Sequence, residues 1–415
     1  MIQSSKFFLN KSFVYFLFFC SLLVSLIFQE NSSGGSRMDH IIMEPFIDHF
    51  KLNFYEGIKY FINTGQIQSP IFYIVIANLK NVLGNHIVSL LYLVISSTLP
   101  LIIYNLLKVK FRKTDKNYLF YLSLLIFLSP FFRSSAVWLT NDNLALVFFA
   151  LSIKYFFKIR NSNSSITKNH FYCFVFLALA AYIRQYYAVF VIYYLVCLLE
   201  KKYLAKSIQI LLINFLLSIP CFIYYYLFYK SNNYIFYSST GVSANYLQNL
   251  YLVLSIFLFY MFPFFTFSIK KIFPIVDFLK KKKLELAIIF FLTYFLIFYF
   301  GFTELNFGGG AIYKVIKLFN LNIPISFSFI SLFVYSFLKI SLDKKYINYL
   351  LILSLLIISF SFVFQKYYDP LLFIIFFTLI KSNLISKIIM KKSLNLVFVY
   401  LFFILFLFIS NIYYL

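Results

Sequence analysis

Charge is scarce in this chain. Only 12% of its 415 residues are Asp, Glu, Lys or Arg, and 13 are acidic. A soluble domain carries roughly 25% charged residues, so a molecule wetted over its whole surface is excluded. Cysteine is scarce too: Cys20, Cys173, Cys197 and Cys221 all fall in apolar runs without paired spacing. That excludes a disulfide framework or a thiolate metal site and reads as packing. The histidines, His40, His49, His86 and His170, form no His-x-x-x-His or His-x-x-Glu pattern. No cofactor and no protein-bound metal is therefore expected, with a carboxylate-bound magnesium left open. No internal period recurs, which counts against transporter folds built from repeats.

What is present is apolar. The chain is 62% hydrophobic and 23% aromatic, with a mean hydropathy of +0.86. Runs approaching the ~20 residues needed to cross a ~30 Å hydrocarbon core recur from end to end. Only helices satisfy their own backbone there. The runs are 12–29, 85–107, 118–132, 137–157, 171–184, 186–199, 208–229, 247–269, 286–302, 321–338, 347–364, 370–386 and 394–415. The expected fold is all-α: a polytopic helical bundle of about 13 transmembrane helices forming a single domain, 1–415. A first outer loop, 30–84, precedes the bundle, 85–415.

The formal charge of +24 does not point to nucleic acid, because the basic residues sit in short clusters between spans. Lys6/Lys11, 108–116, 154–168, 201–206, 270–283, 339–345 and 381–392 alternate along the chain and hold 27 of the 37 Lys and Arg. That asymmetry puts the clusters in the cytoplasm, and the opposite face carries eight of the 13 carboxylates. The partner this implies is the bilayer. The connection 270–285 is expected on the inner leaflet, against anionic head groups.

Within the outer loop, Ile47, Phe50, Phe54, Ile58 and Phe61 recur at helical spacing. The stripe predicts a helix lying flat on the bilayer. Ser69-Pro70 predicts an N-cap and first helical residue, starting a short interfacial or re-entrant helix, `IFYIVIANLK`.

Carboxylates held beside hydrocarbon are functional candidates. `MDHIIMEPFIDHF` offers Asp39, Glu44 and Asp48 as general bases, with His40 alongside. Arg184 interrupts an apolar stretch at an outer turn, where its planar fork suits a phosphate. Arg133 lies at the neighbouring outer turn, and Asn141 and Asp142 begin the descending helix, with Thr140 a candidate cap. `TELNFGGGAIYKVIKLFN` joins Glu304 and three glycines to a helix carrying Lys314. Such a helix start suits an anion. `QKYYDPLL` adds Lys366, Tyr367 and Asp369 as sugar or phosphate ligands, or as part of an aromatic belt.

In arrangement the whole chain resembles the polytopic GT-C glycosyltransferases, which use sugars carried on polyprenyl phosphate. `MDH` after the first span resembles the family's first-loop Asp motif, and `SPIFYIVIANL` its Pro-containing segment before the second span. `SPFFRSSAVWLTNDNLALVFFALS` is similar to the segment joining its third and fourth spans. `YIRQYYAVF` resembles the Arg-Gln motif of the α-1,2-glucosyltransferases acting on dolichyl-phosphoglucose. The resemblance implies an inverting hexosyltransferase in a bacterial inner membrane or endoplasmic reticulum membrane, its active face away from the cytoplasm. Asp39 would be the base, with Arg184, Arg133 and Lys314 on the donor phosphate. His40, Asn141, Asp142, Glu304, Lys366, Tyr367 and Asp369 would be open to sugar or to a lipid-linked or membrane-proximal glycan acceptor. Family members often pair acids in the first loop, whereas His40 follows Asp39 here, so Glu44 and Asp48 stay open as alternative bases.

A flippase or transporter of lipid-linked sugars or polysaccharide competes with this reading. It would place polar residues deep in several helices, and here the mid-span regions are nearly free of charge. A polysaccharide polymerase would carry a large late outer loop, and the late outer loops here are short.

Overall fold

The computed structural model describes residues 10–33, 35–64, 68–161, 168–199, 204–232, 246–265, 280–305, 308–343, 346–358, 363–391 and 395–414. Lys6 and most of the inner connection 270–285 lie outside them. Among the described residues the chain is all-helical, with no strand. It falls into two compact units, Met1–Ser239 with Phe403–Leu415, and Thr240–Phe402.

The first unit contains α1 (Lys11–Ile27), α2 (Gly35–Leu52), α3 (Phe54–Asn63), α4 (Ile71–Leu83), α5 (Asn85–Lys110), α6 (Lys116–Leu124), α7 (Pro130–Val137), α8 (Asp142–Asn161), α9 (Lys168–Ile183), α10 (Phe190–Leu199) and α11 (Leu204–Asn232). The second contains α12 (Tyr246–Phe265), α13 (Lys283–Phe300), α14 (Gly310–Leu318), α15 (Ile323–Ser341), α16 (Tyr346–Ile357), α17 (Leu371–Thr378) and α18 (Asn383–Met390). The last helix, α19, is Leu396–Tyr414.

Among the described residues, six helices are long and apolar enough to cross a membrane, or up to eight if each of two bent pairs is one span. Both bent pairs lie where the sequence predicts single runs. The run 118–132 bends by 64° between Lys116–Leu128 and Pro130–Val137. The reason is local: Ser129 accepts the Phe132 N–H at 3.0 Å, and Pro130 restarts a helix behind it. The run 370–386 bends by 89° between Gln365–Thr378 and Asn383–Met390, with Ser382 capping the second piece.

The outer loop departs furthest from expectation. Its apolar stripe is not one helix on a bilayer. Asn53 breaks it by accepting the Glu56 N–H at 2.8 Å, which starts α3 as a separate helix. α2 then packs on α3 and α4, burying Ile47, Phe50 and Phe61 inside the protein while Phe54 stays exposed. Phe61 is fully covered, with its ring 5.2 Å from Phe46 and 5.0 Å from Tyr73. Truncating a buried phenylalanine of this kind to alanine costs about 3–5 kcal/mol. Asp39 therefore lies on a helix held by its apolar face, not on an open loop. α4 starts at Ile71 with no side-chain cap, and Ser69 reaches the Ile71 N–H only at 3.4 Å.

α8 packs against α5 and α9. Ala145, Phe149, Ser152, Ile153 and Phe156 recur at spacings of three and four and are fully buried. This helix is what carries Asn141 and Asp142 into the unit.

Candidate functional site

α2, α4 and the turn joining α7 to α8 meet around one phenol. Tyr73, on α4, is 3% exposed. Phe46 and Phe61 flank its ring at 5.6 and 5.0 Å, and its hydroxyl lies 3.5 Å from Gln68 Oε1. Burial pushes the phenol up to about 12; Arg184 opposes the shift, while Asp39 and Asp142 add to it. Arg184 and Asp142, 42 residues apart in the chain, meet at 2.7 Å, and Gln68 links the adjacent Asn141 to the Tyr73 hydroxyl. The sequence reading had not singled out Tyr73. It sits in the apolar run after Pro70, and nothing in the local pattern marks it.

Arg184 follows the end of α9 with an extended backbone. Its guanidinium meets Asp142 at 2.7 Å, both side chains about nine-tenths covered. The turn before Asp142 is buried and polar. Leu139 closes it with a φ of 52°, a conformation that costs a non-glycine residue free energy. The first amides of α8 are satisfied from elsewhere: Asn143 N–H by Ser135 at 3.3 Å, and Leu144 N–H by the Tyr92 hydroxyl at 3.3 Å. Thr140 is therefore not the cap; its hydroxyl lies 2.7 Å from that of Ser135. Asn141 donates Nδ2 to Gln68 Oε1 at 3.0 Å.

Arg133 is engaged by groups of the protein itself. Its Nε donates to both Glu30 oxygens at 3.0 and 3.1 Å, and Nη2 meets Glu30 at 2.8 Å. The rest of the fork donates to Ser21 Oγ, Ser21 O, Phe127 O and Ser25 Oγ. These contacts tie α7 to the end of α1 and occupy the donors a phosphate would need. Burial would raise the Glu30 carboxyl, but Arg133, with Ser25 and Ser32, outweighs it and holds the group below its ordinary value.

The three candidate bases are also told apart. Asp39 is half-buried in the Tyr73 neighbourhood. Glu44 lies 3.8 Å from His40 and 3.9 Å from the buried Lys80. Asp48 is exposed and pairs with Lys51 at 3.3 Å. The Asp48 end of α2 lines an open cleft of about 460 Å³ with His49, Leu52 and Asn81. His40 packs toward Trp138, with ring centres 6.0 Å apart. Burial keeps the imidazole below its ordinary value although Glu44 pulls the other way. Lys80 is likewise lowered, by burial first.

The remaining candidates belong to the second unit. Glu304 pairs with Lys317 at 3.1 Å, both exposed. Lys314 is half-exposed on α14. The glycine-led start of that helix is filled by protein acceptors: Gly309 N–H donates to Val363 O at 2.9 Å, and Ala311 N–H to Gln365 Oε1 at 2.8 Å. Lys366 lies 5.4 Å over Phe364 and 5.8 Å over Tyr367. Asp369 is buried beside Tyr260. Among the described residues, no group of three His, Cys, Asp or Glu could hold a metal ion.

No family model matches the chain, and neither a curated protein nor a solved structure matches it.

Proposed function

We propose that this protein is a multi-pass membrane glycosyltransferase of the GT-C type. It moves a sugar from polyprenyl phosphate to a lipid-linked or membrane-proximal glycan on the face away from the cytoplasm. The observation that carries the reading is the covered Arg184–Asp142 pair at 2.7 Å, linked through the adjacent Asn141 and Gln68 to Tyr73 on α4, the helix that packs against α2 with its half-buried Asp39. A base and a phosphate ligand are the two groups this transfer needs.

The acceptor hydroxyl oxygen attacks the anomeric carbon as the bond from that carbon to the phosphate oxygen breaks. The phosphate leaves with the bonding electrons, and its growing charge is stabilised by the Arg184 guanidinium. The acceptor's proton passes to the Asp39 carboxylate. Attack opposite the leaving group inverts the sugar centre. Asp39 is the base in this reading because `MDH` carries the resemblance to the first-loop Asp motif, and Glu44 and Asp48 stay as the alternatives. About 13 crossings follow if α8 and the shorter apolar helices α1, α9, α10 and α16 also cross.

The test is transfer by the purified full-length protein from undecaprenyl-phosphate-linked sugars to acceptors in a membrane extract. Product formed by the parent and lost in Asp39→Asn supports the reading. Movement of the donor between leaflets with no transfer would instead make the protein a transporter. Cysteines placed at Tyr55 and Lys281 test orientation: an impermeant reagent on intact cells should label the first and not the second.

A further inference from the structure

Asn141 carries an acceptor that the fold leaves unused. It is 1% exposed, and its Oδ1 has no hydrogen-bond partner among the described residues. A buried polar atom in that state is costly. The residue precedes α8, where an asparagine side chain ordinarily caps the helix by accepting an N–H. Here Ser135 and Tyr92 take the Asn143 and Leu144 amides, so the capping task is already done. The amide is oriented by Gln68, whose Oε1 accepts from Nδ2 at 3.0 Å. Turned round, Asn141 would press oxygen against oxygen. Leu139, two residues earlier, holds the turn at a positive φ of 52°, and backbone strain of this kind persists where the surrounding structure enforces it.

Charge decides what can occupy the place. Arg184 lies 2.7 Å from the neighbouring Asp142, so a cation beside Asn141 would face a guanidinium. An anion would face a carboxylate and a carbonyl-type oxygen. A neutral hydroxyl donor suits both. Gln68, which holds the Asn141 amide, also lies beside the hydroxyl of Tyr73 on α4, and α4 packs against α2, the helix that bears Asp39.

We infer that Asn141 Oδ1 accepts a hydrogen bond from one hydroxyl of the donor sugar and thereby sets which sugar is transferred. The inference rests on the glycosyltransferase reading and deepens it. A sugar bonded to a phosphate at Arg184 and attacked by an acceptor deprotonated at Asp39 lies between those two groups. Asn141 shares their surroundings. The site discriminates by one hydroxyl, so an analogue without it leaves the buried oxygen unmet.

The experiment uses the full-length protein in nanodiscs with undecaprenyl phosphate carrying glucose, galactose, mannose or arabinose. The sugar used best is then supplied as its complete set of monodeoxy analogues. One analogue, and not all, should lose at least about tenfold in kcat/KM on the parent protein. Asn141→Ala should lose a comparable factor on the complete sugar and no longer distinguish it from that analogue. Asn141→Ser, which keeps an acceptor oxygen, should restore part of the discrimination. Asn143→Ala is the comparison: Asn143 Oδ1 is also without a partner among the described residues, but its amide is tied to Phe132 O at 2.9 Å. Loss there should be equal for complete and deoxy donors. If Asn141→Ala also loses equally on every donor, the oxygen holds water or supports the turn, and the inference is overturned while the transfer reading stands. Transfer from none of the sugars by the parent sinks both.

Discussion

Arg133 and Arg184 each sit against a carboxylate in the first unit, Glu30 at 2.8 Å and Asp142 at 2.7 Å, with nearly equal cover. Around Arg133 the fork is filled by Glu30, two serine hydroxyls and two main-chain carbonyls. Nothing there leads outward to a reacting group. Beside Arg184 and Asp142 lies a turn with a positive φ at Leu139 and, at Asn141, an oxygen without a hydrogen-bond partner among the described residues, joined through Gln68 to the Tyr73 phenol. Two buried ion pairs of the same chemistry thus have different surroundings. One closes a helix junction; the other belongs to a place where charges from separate segments converge. Burial and pairing alone do not mark function. What an arginine's neighbours could do next is the better guide.

The sharpest way to break this comparison is at the base. Asp39→Asn keeps the side chain's size and removes proton acceptance. Transfer should fall by ~10²–10⁴-fold with the yield of inserted protein unchanged, measured as rate per folded molecule. Glu44→Gln and Asp48→Asn should each do less. Full activity in Asp39→Asn, with loss in either of the others, would move the base along α2 and away from Tyr73.

Next in size is the structural pair. Arg133→Met leaves Glu30 covered and uncompensated, which costs about 3–5 kcal/mol of stability, read as a lower melting temperature in detergent. Adding Glu30→Gln should recover most of the loss, and the protein that stays folded should transfer sugar at the parent rate. A loss of rate without loss of stability would put Arg133 in the reaction after all.

Arg184→Ala should also destabilise, since it leaves Asp142 covered and uncompensated, but unlike Arg133→Met it should in addition lower kcat/KM per folded molecule by roughly tenfold to a hundredfold. Arg184→Lys should recover only part, since a point charge lacks the planar fork. Should both variants keep the parent kcat/KM, the two arginines are alike and the contrast dissolves.

The smallest effect is a pH dependence. Glu30 is held below its ordinary carboxyl value of 4.5, so the folded state binds its proton less readily than the unfolded chain. Its contribution to stability is complete above that value and is lost as pH falls through the lower folded value. The melting temperature of the parent should fall toward that of Glu30→Gln on acidification below about 4.5. Curves that stay parallel across that range would remove the ion pair from the account.

Much of this was legible beforehand. The apolar runs announce helices, because no other element satisfies its backbone in lipid, and the placement of α5, α12, α13, α15 and α19 follows from them. Asp39, Arg184, Asn141 and Asp142 stood out as polar residues beside apolar sequence. Arg133 stood out for the same reason and was read the same way. Its neighbour Glu30 lies 103 residues away in the chain, so no local pattern could reveal the pair. The outer loop misled in a related manner. A stripe at helical spacing says that one face will be covered, not by what, and a single asparagine at position 53 turned one helix into two.

What the amino-acid order determined alone is therefore the state of the backbone and the solvent it requires. Those follow from side-chain transfer energies and local hydrogen bonding, which act over a turn or two. Tertiary structure decided which charges meet. It gave Arg133 and Arg184 different carboxylates, put Glu44 near Lys80 and Asp48 beside Lys51, and brought Tyr73 into view. Ion pairing depends on distances of a few ångströms between groups far apart in sequence, and only packing sets those distances.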